Sequence, residues 1–106
     1  MNHRILHIQS PGPQNYRIEL GEIEYHARQF LKGQNAAAIS FENKSGNIEI
    51  AMFVEGVLAD TSVLSDYLKS KLPYYMIPTR ILVSKNFPLN SNGKVDRNVL
   101  KSFIIK

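Results

Sequence analysis

The run Ala36-Ala37-Ala38-Ile39-Ser40-Phe41, then Glu42-Asn43-Lys44-Ser45-Gly46-Asn47, then Ile48-Glu49-Ile50-Ala51-Met52-Phe53-Val54 decides the fold. Its two apolar segments flank a stretch rich in turn formers. Ile48, Ile50 and Met52 alternate along the second segment, with Glu49 between the first two. That period of two predicts a β-hairpin with one buried face.

Outward from the hairpin the period changes. Leu20, Ile23, Ala27, Phe30 and Leu31 share one helical face, predicting a helix from Leu20 to Lys32 that stops at Gly33. Glu22 and Glu24 fall in its first turn and are expected to interact with the helix dipole. On the other side, Asp60 or Thr61 is expected to cap a second helix. Its inner face is Val63, Leu64, Tyr67, Leu68 and Leu72, and Pro73 ends it. Tyr74–Pro78 reads as a packed-down apolar loop, and Ile81-Leu82-Val83 as a third strand. Asn92-Gly93 marks a tight turn in which both residues tolerate positive φ. Asp96 then caps a last helix with Val99, Leu100, Phe103 and Ile104 turned inward. Near the start, Ile5, Leu6 and Ile8 suggest a short strand or extended arm, and Ser10-Pro11-Gly12-Pro13-Gln14 a loop. The fold class is α+β: a small, mostly antiparallel three-stranded sheet covered by helices.

Composition narrows the chemistry. The 106 residues suit one domain. The absence of cysteine excludes a disulfide framework, a thiolate metal site and a cysteine nucleophile. No apolar run approaches the roughly 20 residues that span a bilayer, and no leader opens the sequence, so a cytoplasmic protein without membrane or metal is expected. Net charge is +4, but the lysines and arginines are scattered, which argues against nucleic acid as a partner. His3 and His7 have no third ligand nearby in sequence and read as solvated side chains.

Two segments carry more than pattern. One is Tyr16-Arg17-Ile18-Glu19-Leu20-Gly21-Glu22-Ile23-Glu24. The other is Leu72-Pro73-Tyr74-Tyr75-Met76-Ile77-Pro78, followed by Phe87-Pro88-Leu89 and Asn92-Gly93-Lys94-Val95-Asp96-Arg97. In order and spacing they resemble the C-terminal subdomain of adenylate-forming enzymes, above all the amino-acid adenylation domains of nonribosomal peptide synthetases. The likeness covers residues 16–103, leaving 1–15 as a hinge-like or extended arm and 16–106 as the subdomain.

The resemblance implies an ATP-dependent, AMP-forming ligase of secondary metabolite biosynthesis. A large N-terminal domain would hold the acyl pocket, most of the ATP site and its Mg2+. The small subdomain would close over that site, then turn to serve a phosphopantetheine-bearing carrier protein. Lys94 matches the family's catalytic lysine, presented by Asn92 and Gly93. Tyr16, Arg17 and Gly21 match the hinge-proximal motif on the pantetheine side. By chemistry alone Arg17, Glu19 and Gly21 read as an amphipathic helix start, Asp96 as a cap and Arg97 as a surface charge.

The sequence departs from the family at the hinge. Leu6 stands at the hinge aspartate position, Pro11-Gly12-Pro13 lengthens the connection, and Asn15 replaces a glycine. By itself the chain is not expected to adenylate a substrate. A freestanding interaction module docking on a synthetase or carrier protein is the competing reading, and a basic nucleic-acid binder a third.

Overall fold

The computed structural model describes residues 5–9 and 15–104, with side chains from Ile18 onward. The expected loop at 10–14 lies outside the described residues, as do His3 and Arg4. Strands β1 (Ile5–Gln9) and β2 (Asn15–Glu19) form an antiparallel pair in the register Leu6↔Ile18 and Ile8↔Tyr16. Helix α1 (Leu20–Leu31) follows directly. Arg17 and Glu19 are therefore strand residues, not a helix start, and Glu19 occupies the N-cap position of α1. The helix ends through Lys32 in left-handed backbone at φ 53°, ahead of Gly33 at φ 108°.

Strands β3 (Ala36–Glu42), β4 (Ile48–Glu55) and β5 (Arg80–Ser84) form the main sheet in the order β3-β4-β5. The expected hairpin is present, with Ala36↔Val54 and Glu42↔Ile48 at its ends. Its turn is organised by Asn43, whose side chain accepts the Ser45 and Asn47 amides while Gly46 takes φ 84°.

Two expectations change. First, β5 runs parallel to β4, because helix α2 (Thr61–Lys71) carries the chain back across the sheet before β5 begins. Second, the hairpin is buried on both faces. Ala36, Ala38, Ile50, Met52 and Val54 join one apolar cluster with α1, α2 and Met76. Ala37, Ile39, Phe41, Ala51 and Phe53 join another with Phe87 and Leu100. Both alternating sets are apolar, so β4 reads as a near-continuous hydrophobic run, as a doubly covered strand should.

Asp60, not Thr61, caps α2 by accepting from the Ser62 amide at 2.9 Å. The Ser62 hydroxyl and then its amide hold the Asp60 carboxyl below its usual range. Leu64, Leu68 and Leu72 are buried, but Val63 faces solvent. A 3-10 turn over Tyr74–Met76 buries Met76 and leaves Tyr74 75% exposed, so the loop is only partly packed down. Helix α3 (Arg97–Ser102) is capped by Asp96 as expected, through the Val99 amide at 3.2 Å. Of its expected inner face, Leu100 is buried and Ile104 half-buried, whereas Val99 and Phe103 are exposed.

Gly56 joins the end of β4 to the loop before α2. It sits at φ 108°, where its amide donates to Ser84 O. A Cβ there would lie 2.9 Å from Gln34 Nε2, which donates to Glu55 O and Val57 O. Gly56→Ala is expected to cost about 1–3 kcal/mol from backbone strain and displacement of Gln34. Urea denaturation will check this; a variant as stable as the parent contradicts it.

Candidate functional site

The Lys94 site is built from local sequence upward. Leu89 and Val95 pair as an antiparallel bridge and close a short hairpin. Gly93 N donates to Asn90 O at 3.0 Å, and Asn90 N to Lys94 O at 2.7 Å. The Asn90 side-chain oxygen accepts the amides of Asn92 at 2.9 Å and Lys94 at 3.1 Å. Gly93 takes φ 78°, while Asn92 stays at negative φ. This is a four-residue turn closed by a left-handed glycine, not the two-residue turn with both residues left-handed.

Asn90, not Asn92, is therefore the organiser, and that residue was missed. Its signal was present. The stretches Asn43-Lys44-Ser45-Gly46-Asn47 and Asn90-Ser91-Asn92-Gly93-Lys94 share an asparagine three residues before glycine, and each asparagine satisfies two amides of its own turn. Lys94 follows the glycine and is exposed, and its ammonium forms no salt bridge with a described residue.

Both ends of this hairpin are tied to the body by carboxylates. On the incoming side Phe87 is buried, and its amide donates to Glu55 Oε2 at 2.7 Å. Asn35 Nδ2 donates to the other Glu55 oxygen at 2.9 Å. The Phe87 amide first, then Asn35, hold the Glu55 carboxyl below its ordinary 4.5. On the outgoing side Asp96 N donates to Pro88 O at 2.8 Å, and Arg97 Nη1 donates to Glu24 Oε2 at 2.8 Å.

Glu24 overturns an expectation. It is 1% exposed and does not serve the helix dipole. The same Oε2 accepts the Ala38 amide at 2.8 Å, on the outer edge of β3. Arg28, one turn later on α1, lies 3.9 Å from Glu24 Oε1 and donates to Ala36 O at 3.1 Å. A buried carboxylate is tolerated because cations and an amide surround it. Arg97 likewise is not a free surface charge. The pairing joins residues 73 apart in sequence, so no local pattern carried it.

Asn92, Gly93 and Lys94 thus form one exposed unit. Tyr16 and Arg17 lie on β2, opposite Ile8 and His7, and Gly21 lies in the first turn of α1. Among the described residues, a Cβ at Gly21 would meet Glu19 Oε1 at 3.9 Å, an ordinary contact. The two groups are connected through Glu24 on α1 and Arg97 on α3. Among the described residues no cluster of three or more His, Asp or Glu side chains gathers to hold a metal ion. No helix among them is long and apolar enough to cross a membrane.

Glu24→Leu leaves the Ala38 amide and Arg97 without their acceptor and is expected to destabilise the domain by roughly 1–3 kcal/mol. Thermal unfolding will read this, and a neutral result counts against the edge anchor. Glu55 makes a pH-dependent contribution. With its folded-state carboxyl depressed, the contribution is present above the ordinary value and is lost as pH falls through the lower folded-state value. The Phe87 amide is therefore expected to lose hydrogen-exchange protection as pH falls below the ordinary 4.5, earlier than neighbouring β4 amides. Glu55→Gln should flatten that dependence.

No protein-family model matches the sequence. Curated relatives do. Over 85 residues the chain is 44% identical to surfactin synthase subunit 2 of Bacillus subtilis, covering 80% of this chain and 2% of that protein. Over 94 residues it is 44% identical to the D-alanine--D-alanyl carrier protein ligase of Bacillus licheniformis, covering 81% and 18%. Among solved structures, it matches a four-domain nonribosomal peptide synthetase bound to AMP and glycine with a TM-score of 0.71 and 32% identity, over 78% of this chain and 6% of that one. An acyl-CoA synthetase (AMP-forming)/AMP-acid ligase II-like protein of Dyadobacter fermentans shares the fold at a TM-score of 0.75 and 15% identity, over 94% and 29%. The chain spans a small fraction of each, and within that fraction lie both the sequence likeness and the structural likeness. The chain belongs to the C-terminal subdomains of the adenylate-forming, AMP-binding superfamily, on the side of the nonribosomal peptide synthetases.

Proposed function

We propose that this chain is the mobile C-terminal part of an amino-acid-activating ligase and that Lys94 is its catalytic lysine. The observation that carries the reading is an exposed lysine at the exit of a hydrogen-bonded hairpin whose two ends are tied to Glu55 and Glu24. In adenylation a substrate carboxylate oxygen attacks the α-phosphate of ATP, the bond to the β-phosphate oxygen breaks, and pyrophosphate leaves. Negative charge gathers on both reacting groups. A lysine delivered on a short hairpin supplies a compact positive charge that reaches both. The ATP, its Mg2+ and the acyl pocket belong in this reading to a larger N-terminal domain, in cis or in trans, working in the cytoplasm.

The second half-reaction passes the acyl group to the phosphopantetheine thiol of a carrier protein, with AMP leaving. The β2–α1 junction, with Tyr16, Arg17 and Gly21, is the face assigned to that arm. Residues 1–15 serve as the hinge-side arm and 16–106 as the moving body. With Leu6 at the aspartate position, the hinge turns without a charged side chain there.

The test is ATP–pyrophosphate exchange by this chain combined with an adenylation domain lacking its own small subdomain. Exchange is expected in the mixture, and Lys94→Ala is expected to lower it roughly 10²–10³-fold without loss of folding. Undiminished exchange by Lys94→Ala, or none from a folded wild-type mixture that binds a carrier protein, moves the function to a non-catalytic docking module.

A further inference from the structure

We propose that Glu24 and Arg97 are a positioning pair for Lys94, acting in adenylation and not in thiol transfer. The inference rests on the reading of Lys94 as the adenylation lysine. The turn at 90–94 is exposed and held by bonds within itself, so its direction is inherited from its two ends. The incoming end is fixed by buried Phe87 and its amide bond to Glu55. The outgoing end runs into α3, a helix of 6 residues with Leu100 as its buried residue, too short to fix its own axis by packing.

Arg97 is the first residue of that helix and lies three positions after Lys94. Its side chain is 35% exposed, yet its guanidinium reaches the carboxylate of Glu24, whose side chain is 1% exposed. That carboxylate is itself immobilised, because the oxygen that takes Arg97 also takes the Ala38 amide on the β3 edge. Arg97 therefore docks on a point defined by the sheet, and the angle between α3 and the Lys94 hairpin follows from it. A displacement of about 1 Å at a reacting group costs up to about a hundredfold in rate, and freeing Arg97 removes the contact that ties the outgoing end of the hairpin to α1. Tyr16, Arg17 and Gly21, the residues assigned to the thiol face, lie on β2 and in the first turn of α1, elements to which Arg97 does not belong.

The experiment compares Arg97→Ala, Arg97→Lys and Lys94→Ala in the assembled enzyme. Two half-reactions are measured: pyrophosphate exchange with its kcat and KM for ATP, and transfer from preformed acyl-adenylate to the carrier thiol. Arg97→Ala is expected to lower exchange kcat about 10- to 100-fold with KM for ATP little changed, and to leave transfer within about twofold of wild type. Arg97→Lys is expected to recover part of the loss, since it restores the charge but not the planar fork.

If Arg97→Ala does not fold, Glu24→Gln carries the same test. It keeps an oxygen for the Ala38 amide while weakening the hold on Arg97, and a several-fold fall in exchange with intact transfer supports the pair. Unchanged exchange in the Arg97 variants, with Lys94→Ala inactive, overturns the positioning role alone. A parallel fall of both half-reactions with a lowered Tm overturns it in favour of a purely structural pair. Normal exchange by Lys94→Ala overturns the adenylation reading itself and this inference with it.

Discussion

The Glu24 carboxylate on the outer edge of β3 is the constraint around which the rest is arranged. An edge strand presents unpaired amides and carbonyls, which a fold must cover. Here helix α1 does so with side chains. Glu24 takes the Ala38 amide and Arg28 supplies a donor to Ala36 O. The spacing fits: four residues of helix rise about 6 Å, and two residues of strand about 6.6 Å. Two side chains one turn apart thereby meet two backbone groups two residues apart. Burying a carboxylate needs a counter-charge, and Arg97 from the far end of the chain provides one.

That arrangement fixes how the last third of the chain is laid on. Two apolar clusters lie on opposite faces of the sheet, one under α1 and α2, the other under Phe87 and Leu100. The second cluster is the smaller and its helix is short, so polar ties supplement packing there. Glu55 holds the segment entering the Lys94 hairpin, and Glu24 holds the segment leaving it. Lys94 is exposed, and exposure forfeits packing. The fold compensates by fixing the base of the hairpin in place of its tip.

The twin turns illustrate a cheap solution to the same problem. In each, an asparagine side chain satisfies two amides and a glycine takes the positive φ that closes the loop. One joins β3 to β4 and is structural. The other presents Lys94. The same local chemistry thus supplies a scaffold element and a candidate catalytic one, and context separates them.

The sequence by itself determined the three helices, the β3–β4 hairpin, the Asp96 cap and the position of Lys94 beside a turn. Each is written within a dozen neighbouring residues, as a period, a cap or a turn former. It also carried the family, because the two motifs stand in order along the chain. The tertiary structure alone decided that β5 joins in parallel, that the hairpin is covered on both faces, and that Arg17 and Glu19 belong to a strand. It alone made Glu24 and Arg97 partners. The physical reason is range. A glutamate in a first helical turn looks the same in sequence whether it faces water or a strand edge, and its meaning is set by a cation 73 residues away.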